Sequence, residues 1–128
     1  MNGRRLAALL VAALALVACD KGPKGASSRD GVIAAWKKGG LEPSELKAAK
    51  TDVGKDCAQG TVNKLDVLVC TFPNEADAKA AEDAGLKWVG DTTGASKALN
   101  EMLVVVADRK KADPNGKVIN QVITLPAK

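Results

Sequence analysis

The chain has 128 residues, with 19 lysines and arginines against 15 aspartates and glutamates, a formal charge of +4. It contains no histidine and no tyrosine, which excludes histidine-based triads, histidine-ligated zinc and the commonest general base. Trp36, Phe72 and Trp88 are the only aromatics, too few for a base-stacking platform, and no dense basic stripe occurs, so nucleic acid is not an expected partner.

The first element is a targeting segment. Arg4 and Arg5 precede a 13-residue uncharged apolar run, Leu6 to Ala18. A helix needs about 20 such residues to cross a hydrocarbon core, so the run suits the h-region of a signal peptide. It closes on Leu16-Val17-Ala18-Cys19. This resembles the lipobox of bacterial lipoproteins: an aliphatic residue, two small or modest ones, then the cysteine. The resemblance covers the signal alone. It implies cleavage before Cys19, diacylation of the Cys19 thiol, and often acylation of the new amino group. The protein would then be held to the cell membrane by lipid and face the periplasm. Two or more acyl chains, at about 0.8 kcal/mol per buried methylene, give stable attachment. Asp20 resembles the inner-membrane retention signal of enteric lipoproteins, and the choice between inner and outer membrane stays open. The alternative is an ordinary secretory signal, or an uncleaved anchor, with a chance cysteine.

Loss of residues 1–18 leaves 110 residues, one modest domain. Arg4 and Arg5 are the only charges removed, so +4 falls to +2. The three cysteines become an even pair once Cys19 carries lipid. Cys57 and Cys70 then form a disulfide by default in an oxidising compartment.

Residues 19–29 read as the lipidated N-terminus and a polar tether, spanning on the order of 16–19 Å if flexible. The domain proper is placed at residues 30–128. Ser28 caps a helix over Asp30 to Lys38, with Val32, Ile33 and Trp36 on one face and Gly39-Gly40 as the stop. Trp36 reads as a core residue. Leu46 to Lys50 is a short strand or a helical turn, with strand preferred.

Cys57 to Phe72 reads as a β-hairpin. A two-residue turn at Asn63-Lys64 makes opposed residues sum to 127, so Cys57 faces Cys70 at a non-hydrogen-bonded pair, with Cα atoms about 4.5 Å apart. The same register groups Ala58, Gly60 and Val62 with Leu65, Val67 and Val69 on one apolar face. The bridge closes a 14-residue loop, worth about 3 kcal/mol by loop entropy.

Asn74 is an N-cap for a helix running to Ala84, with Gly85 as its stop and Leu86 packing back. Glu75, Asp77, Glu82 and Asp83 fall on its solvated face rather than in an acid/base pair. Leu86 to Gly90 reads as a strand or extended segment and Asp91 to Gly94 as a turn. Residues 95–101 admit strand or helix. Met102 to Ala107 is the strongest strand, continuous enough to be central. An Asn100-Glu101 turn makes residues 95–107 a second hairpin. Arg109-Lys110-Lys111 reads as a solvated loop that could touch anionic lipid. Asp113-Pro114 opens a last helix, with Val118, Ile119, Val122 and Ile123 on one face and Pro126 ending it. Hairpin plus helix over 57–84 resembles hairpin plus helix over 95–123, a faint internal repeat.

The order predicts an α+β domain: a small, mainly antiparallel sheet built from hairpins, with two or three helices covering a face. Beyond the signal, the domain resembles only small lipoproteins of unassigned role, which adds no mechanism. No catalytic, metal or cofactor site is expected. The function predicted is a non-enzymatic interaction or structural module, anchored to the membrane through Cys19, with an envelope protein as partner. The alternatives are a small-ligand binder with a pocket near Trp36 or Trp88, and a thiol-redox protein using Cys57 and Cys70.

Overall fold

The computed structural model describes residues 25–128. The signal segment, the lipobox, Cys19 and the linker up to Lys24 lie outside the described residues. The first helix, α1, covers Arg29–Lys38, and the Ser28 hydroxyl accepts from the Gly31 amide at 3.1 Å to cap it. Five strands follow: β1 (Lys47–Ala49), β2 (Asp56–Val62), β3 (Leu65–Thr71), β4 (Thr93–Leu99) and β5 (Met102–Asp108). They form one antiparallel sheet in the order β1-β2-β3-β5-β4. The fold is α+β.

The β2–β3 register runs from Asp56↔Thr71 to Val62↔Leu65, with Cys57 opposite Cys70, as the 127 sum requires. Asn63 and Lys64 have φ of 48° and 74°, and two positive values are what a type I′ turn needs to follow the strand twist. Residues 95–99 belong to a strand, paired with β5 from Thr93↔Asp108 to Leu99↔Met102. β4 thus starts two residues before the expected hairpin. Residues of β5 are buried throughout, and β3 and β4 flank it.

Alternation along the strands sends apolar side chains to both faces. Val62, Leu65, Val67, Val69, Met102, Val104 and Val106 meet Val32 and Trp36 of α1 and Ile119 and Val122 of the last helix, α4 (Lys117–Thr124). Trp36 is fully buried, and its indole Nε1 donates to Val122 O at 2.9 Å. That bond satisfies the one polar atom of the ring inside the core. Leu68, Cys70, Leu103, Val105 and Ala107 point the other way, beneath a helix pair α2 (Glu75–Ala80) and α3 (Glu82–Val89). Helices therefore cover both faces of the sheet, not one.

Several local expectations are corrected. The helix after Pro73 does not stop at Gly85. It breaks at Ala81, then continues as α3 through Gly85 to Val89, so Leu86 to Val89 is helical rather than extended. Gly85 is buried against β4: a Cβ there would overlap the Ser96 hydroxyl and sit 3.0 Å from Val105 Cγ2. Its missing side chain serves close helix–sheet packing, not chain reversal. Gly90, at φ 71°, is the stop. Leu86 does not pack back; it is 50% exposed.

The last helix starts at Lys117 rather than at Pro114, and its N-cap is Gly116, which has no side chain to offer. Asp113 still serves the helix from a distance, its buried carboxylate accepting from the Ile119 amide at 2.8 Å. An orphan donor of the first turn is satisfied that way. The domain also begins earlier than residue 30. Ala26 N donates to Pro126 O at 2.7 Å, next to the 3-10 turn Leu125–Ala127.

Candidate functional site

Two places on the domain carry the sequence-predicted residues. The first is the stapled end of β2–β3. Cys57 and Cys70 are bonded, with Cα atoms 4.0 Å apart, and are 3% and 0% exposed. Thiol exchange needs a thiolate to reach a sulfur, and this burial closes that approach while the hairpin end stays folded. Beside the bridge lies a groove of about 710 Å³ between Gly54–Asp56, Thr71–Pro73 and α2. Asp56 stands on its rim. The Thr71 hydroxyl donates to one carboxylate oxygen, and Arg29 Nη2 to the other at 3.1 Å. Those two partners hold the Asp56 carboxyl below its ordinary value of 3.8. The carboxylate is thereby committed to joining α1 to the hairpin.

The second place is a corner formed by Trp88, Arg109 and Asp66. Trp88 comes from α3, Asp66 from the start of β3 and Arg109 from the turn after β5. The Arg109 guanidinium lies 4.4 Å from the Trp88 ring centre. Its Nη1 donates to Asp66 Oδ2 at 2.9 Å and its Nη2 to Trp88 O at 2.6 Å. One planar cation thus makes an ion pair, a helix C-terminal hydrogen bond and a ring contact together. Trp88 is half-buried and also lines a groove of about 520 Å³ with Lys50–Val53, Gln59, Ala84 and Lys87. Of the two tryptophans proposed as ligand platforms, Trp36 is sealed in the core and Trp88 borders open space.

The loop that holds Arg109 is built rather than slack. Asp108 is buried, and its two oxygens accept from the amides of Ala112 at 2.8 Å and Asp113 at 2.9 Å. Asp113 in turn caps α4. Lys110 and Lys111 stay exposed on this brace.

The helix acids have structural partners or solvent. Asn74 Oδ1 accepts from the Asp77 amide at 2.8 Å, the expected cap. Glu82 reaches past the sheet edge, where Oε2 accepts from the Ala98 amide at 2.8 Å. That bond occupies an outward donor of the edge strand β4, a position where a foreign strand would otherwise pair. Glu75 and Asp83 are exposed. Among the described residues, no three Cys, Asp or Glu side chains gather as a metal site, and no helix is long and apolar enough to cross a membrane. Cys19 lies outside the described residues.

No protein family, curated protein or solved structure matches the chain.

The Arg109 corner was missed by sequence reasoning. The sequence alone groups Arg109 with Lys110 and Lys111 and puts Trp88 on an extended segment. The corner depends on the pairing of β3 with β5, which brings Asp66 opposite Ala107 and so within reach of Arg109. No local pattern encodes that pairing. A helical period through Gly85, Trp88 and Val89 was the signal that could have placed Trp88 correctly.

Proposed function

We propose that the chain is a lipid-anchored envelope protein, acylated at Cys19 and facing the periplasm, whose domain works by contact with another envelope protein rather than by catalysis. The observation that carries the proposal is the Cys57–Cys70 disulfide. Structural disulfides persist outside the reducing cytoplasm, which is where the Arg4-to-Cys19 signal would send the chain. The lipobox then supplies the anchor. The engaged states of Asp56, Asp108, Asp113 and Glu82 support a non-catalytic role, because each of these carboxylates already accepts hydrogen bonds that hold the fold together. Membrane fractionation with acyl-chain labelling tests the anchor. The parent is expected in the membrane fraction and labelled; Cys19→Ser is expected unlabelled and unprocessed. A Cys19→Ser protein processed and retained like the parent would sink the proposal. Cross-linking in intact cells tests the partner, and recovery of monomer alone would remove that half of it.

A second reading is favoured by the half-buried Trp88 beside its groove: a small-ligand binder. Fluorescence of Trp88 in a Trp36→Phe background, titrated with envelope metabolites, is the test. A flat response across them counts against it. The thiol-redox reading has less support, because the disulfide is buried.

A further inference from the structure

We propose that the domain stands on the membrane by one end, the end bearing Ala26, the Asn100-Glu101 turn and the Leu125–Lys128 segment, and that a lipid headgroup surface is what this end contacts. The inference rests on acylation at Cys19. It follows from where the chain is first fastened. Ala26 N donates to Pro126 O at 2.7 Å, and Asn100 Nδ2 donates to Ala26 O at 2.9 Å. Gly25 is wedged beside them; a Cβ on it would lie 2.9 Å from Pro126 O and 3.1 Å from Leu99 Cδ1. Between Cys19 and Ala26 there are only seven residue steps, which reach about 25 Å at full extension and span on the order of 13–16 Å if flexible. The tether is therefore shorter than residues 19–29 suggested, because its last four residues belong to the fold.

The sheet turns this limit into an orientation. β4 and β5 run away from the Asn100-Glu101 turn for seven residues each, about 23 Å at 3.3 Å per residue. Their far end carries Arg109, Lys110 and Lys111. The Asn63-Lys64 turn lies at that far end too, since Asp66 pairs with Ala107 while Thr71 pairs with Met102. The basic loop that the sequence offered as a lipid contact is thus at the end farthest from the anchor.

The near end suits a lipid surface. Lys97 and Lys128 border a shallow, mainly apolar groove of about 290 Å³ with Ala98, Leu99, Ile123 and Ala127. Glu101 of the turn and Asp56, opposite Thr71, are exposed at the same end, so the match to a lipid surface is local: it lies where Lys97 and Lys128 border the apolar groove, with stems along apolar surface and ammonium groups free for headgroups.

The test uses the chain from Cys19 onward, because sheet, staple and both core layers lie within residues 25–128. With the disulfide kept oxidised, the one free thiol, Cys19, is coupled to a maleimide lipid. The ¹⁵N-labelled conjugate is placed in nanodiscs of phosphatidylethanolamine and phosphatidylglycerol doped with a gadolinium-chelate lipid. Paramagnetic relaxation should be stronger at Leu99, Asn100 and Ala127 than at Lys64, Lys110 and Lys111, by about tenfold or more given the ~23 Å strand length. Lys97→Glu with Lys128→Glu should shrink that contrast. Equal relaxation at the two ends, or stronger relaxation at Lys110, overturns the proposal. Because the lipid is attached chemically, this outcome is independent of cellular acylation, which the Cys19→Ser fractionation tests separately.

Discussion

The two hairpins of this sheet are built to one plan and secured by different means. Each has two seven-residue strands joined by a two-residue turn that opens with asparagine. Leu65, Val67 and Val69 of the first and Met102, Val104 and Val106 of the second share one core layer. There the likeness stops. The helices after β3 cover the Leu68–Leu103 face, whereas the helix after β5 covers the opposite one. The repeat seen in the sequence therefore holds for the hairpins and fails for the helices. The first hairpin is fastened covalently by Cys57–Cys70 at its open end. The second has β4 at the edge of the sheet and is fastened by contacts: Gly85 against Ser96, Glu82 on Ala98, and Asn100 on Ala26. Interior position plus a crosslink does for one what edge packing does for the other.

The largest expected effect comes from removing the covalent fastening. Cys57→Ala with Cys70→Ala should cost about 3 kcal/mol, the loop-entropy value for a bridge of this span. The loss would lower the melting temperature by about 10–20 °C for a domain of this size. Hydrogen exchange should accelerate first at Asp56–Ala58 and Cys70–Thr71, leaving β4 and β5 protected until global unfolding. Equal acceleration in β4 would mean the two hairpins open as one unit, and the comparison would fail.

Gly85→Val attacks the second hairpin instead. Three added carbons would have to enter space already held by Ser96 and Val105, and overpacking of this kind costs roughly 1–3 kcal/mol. The exchange signature should be the mirror image, with β4 amides losing protection and the stapled end keeping it. Ser96→Gly in the same chain should recover part of the loss, because it removes the overlapping hydroxyl; no recovery would show that α3 is displaced as a whole.

The turns sharpen the contrast at smaller scale. Lys64 is held at φ 74°, whereas in the second turn only Asn100, at φ 54°, is positive. A left-handed conformation costs a residue with a Cβ about 1 kcal/mol or more. Lys64→Gly relieves that strain against glycine's extra backbone entropy, and should raise stability by a few tenths up to ~1 kcal/mol. Glu101→Gly removes no such strain, and its added backbone entropy should lower stability by up to ~1 kcal/mol. Denaturant midpoints of the two variants are expected to move in opposite directions.

Much of this was legible because it is local. The cysteine pair and the Asn63-Lys64 turn both imply the same register, and Ser28, Asn74 and the Val32/Trp36 spacing mark helix starts and a buried face. What was not legible depends on partners distant in sequence. Gly85 looked like a helix stop because glycine commonly is one; only the arrival of Ser96 on β4 gives it another purpose. Asp113 looked like an adjacent cap and acts on Ile119 six residues away. Arg109 looked like one of three solvated cations until β3 and β5 met. The covering of both faces was hidden for the same reason: apolar residues occur on both sides of β3 and β5, but the side each helix takes is set by chain crossings. The lipobox is a different matter, since its evidence is a four-residue pattern outside the described part of the fold.

The smallest expected effect is at the junction between α1 and the stapled hairpin. Asp56 is held below its ordinary 3.8 by the Thr71 hydroxyl and by Arg29. A carboxyl depressed on folding takes up its proton more readily in the unfolded chain, so it stabilises the fold above about pH 4 and stops doing so as pH falls through its folded value. The Asp56 side chain is 63% exposed, so solvent screening limits the pair to a few tenths of a kcal/mol. Asp56→Asn should lower stability by that much at neutral pH, lower it less in high salt, and converge on the parent in acid. The variant is expected to flatten the acid limb of the stability curve without altering exchange in β4, because Glu82 and Asn100 hold that hairpin independently. A change in β4 protection would instead place Asp56 in a network spanning both hairpins, and the division between a covalently fastened half and a packed half would have to be redrawn at α1.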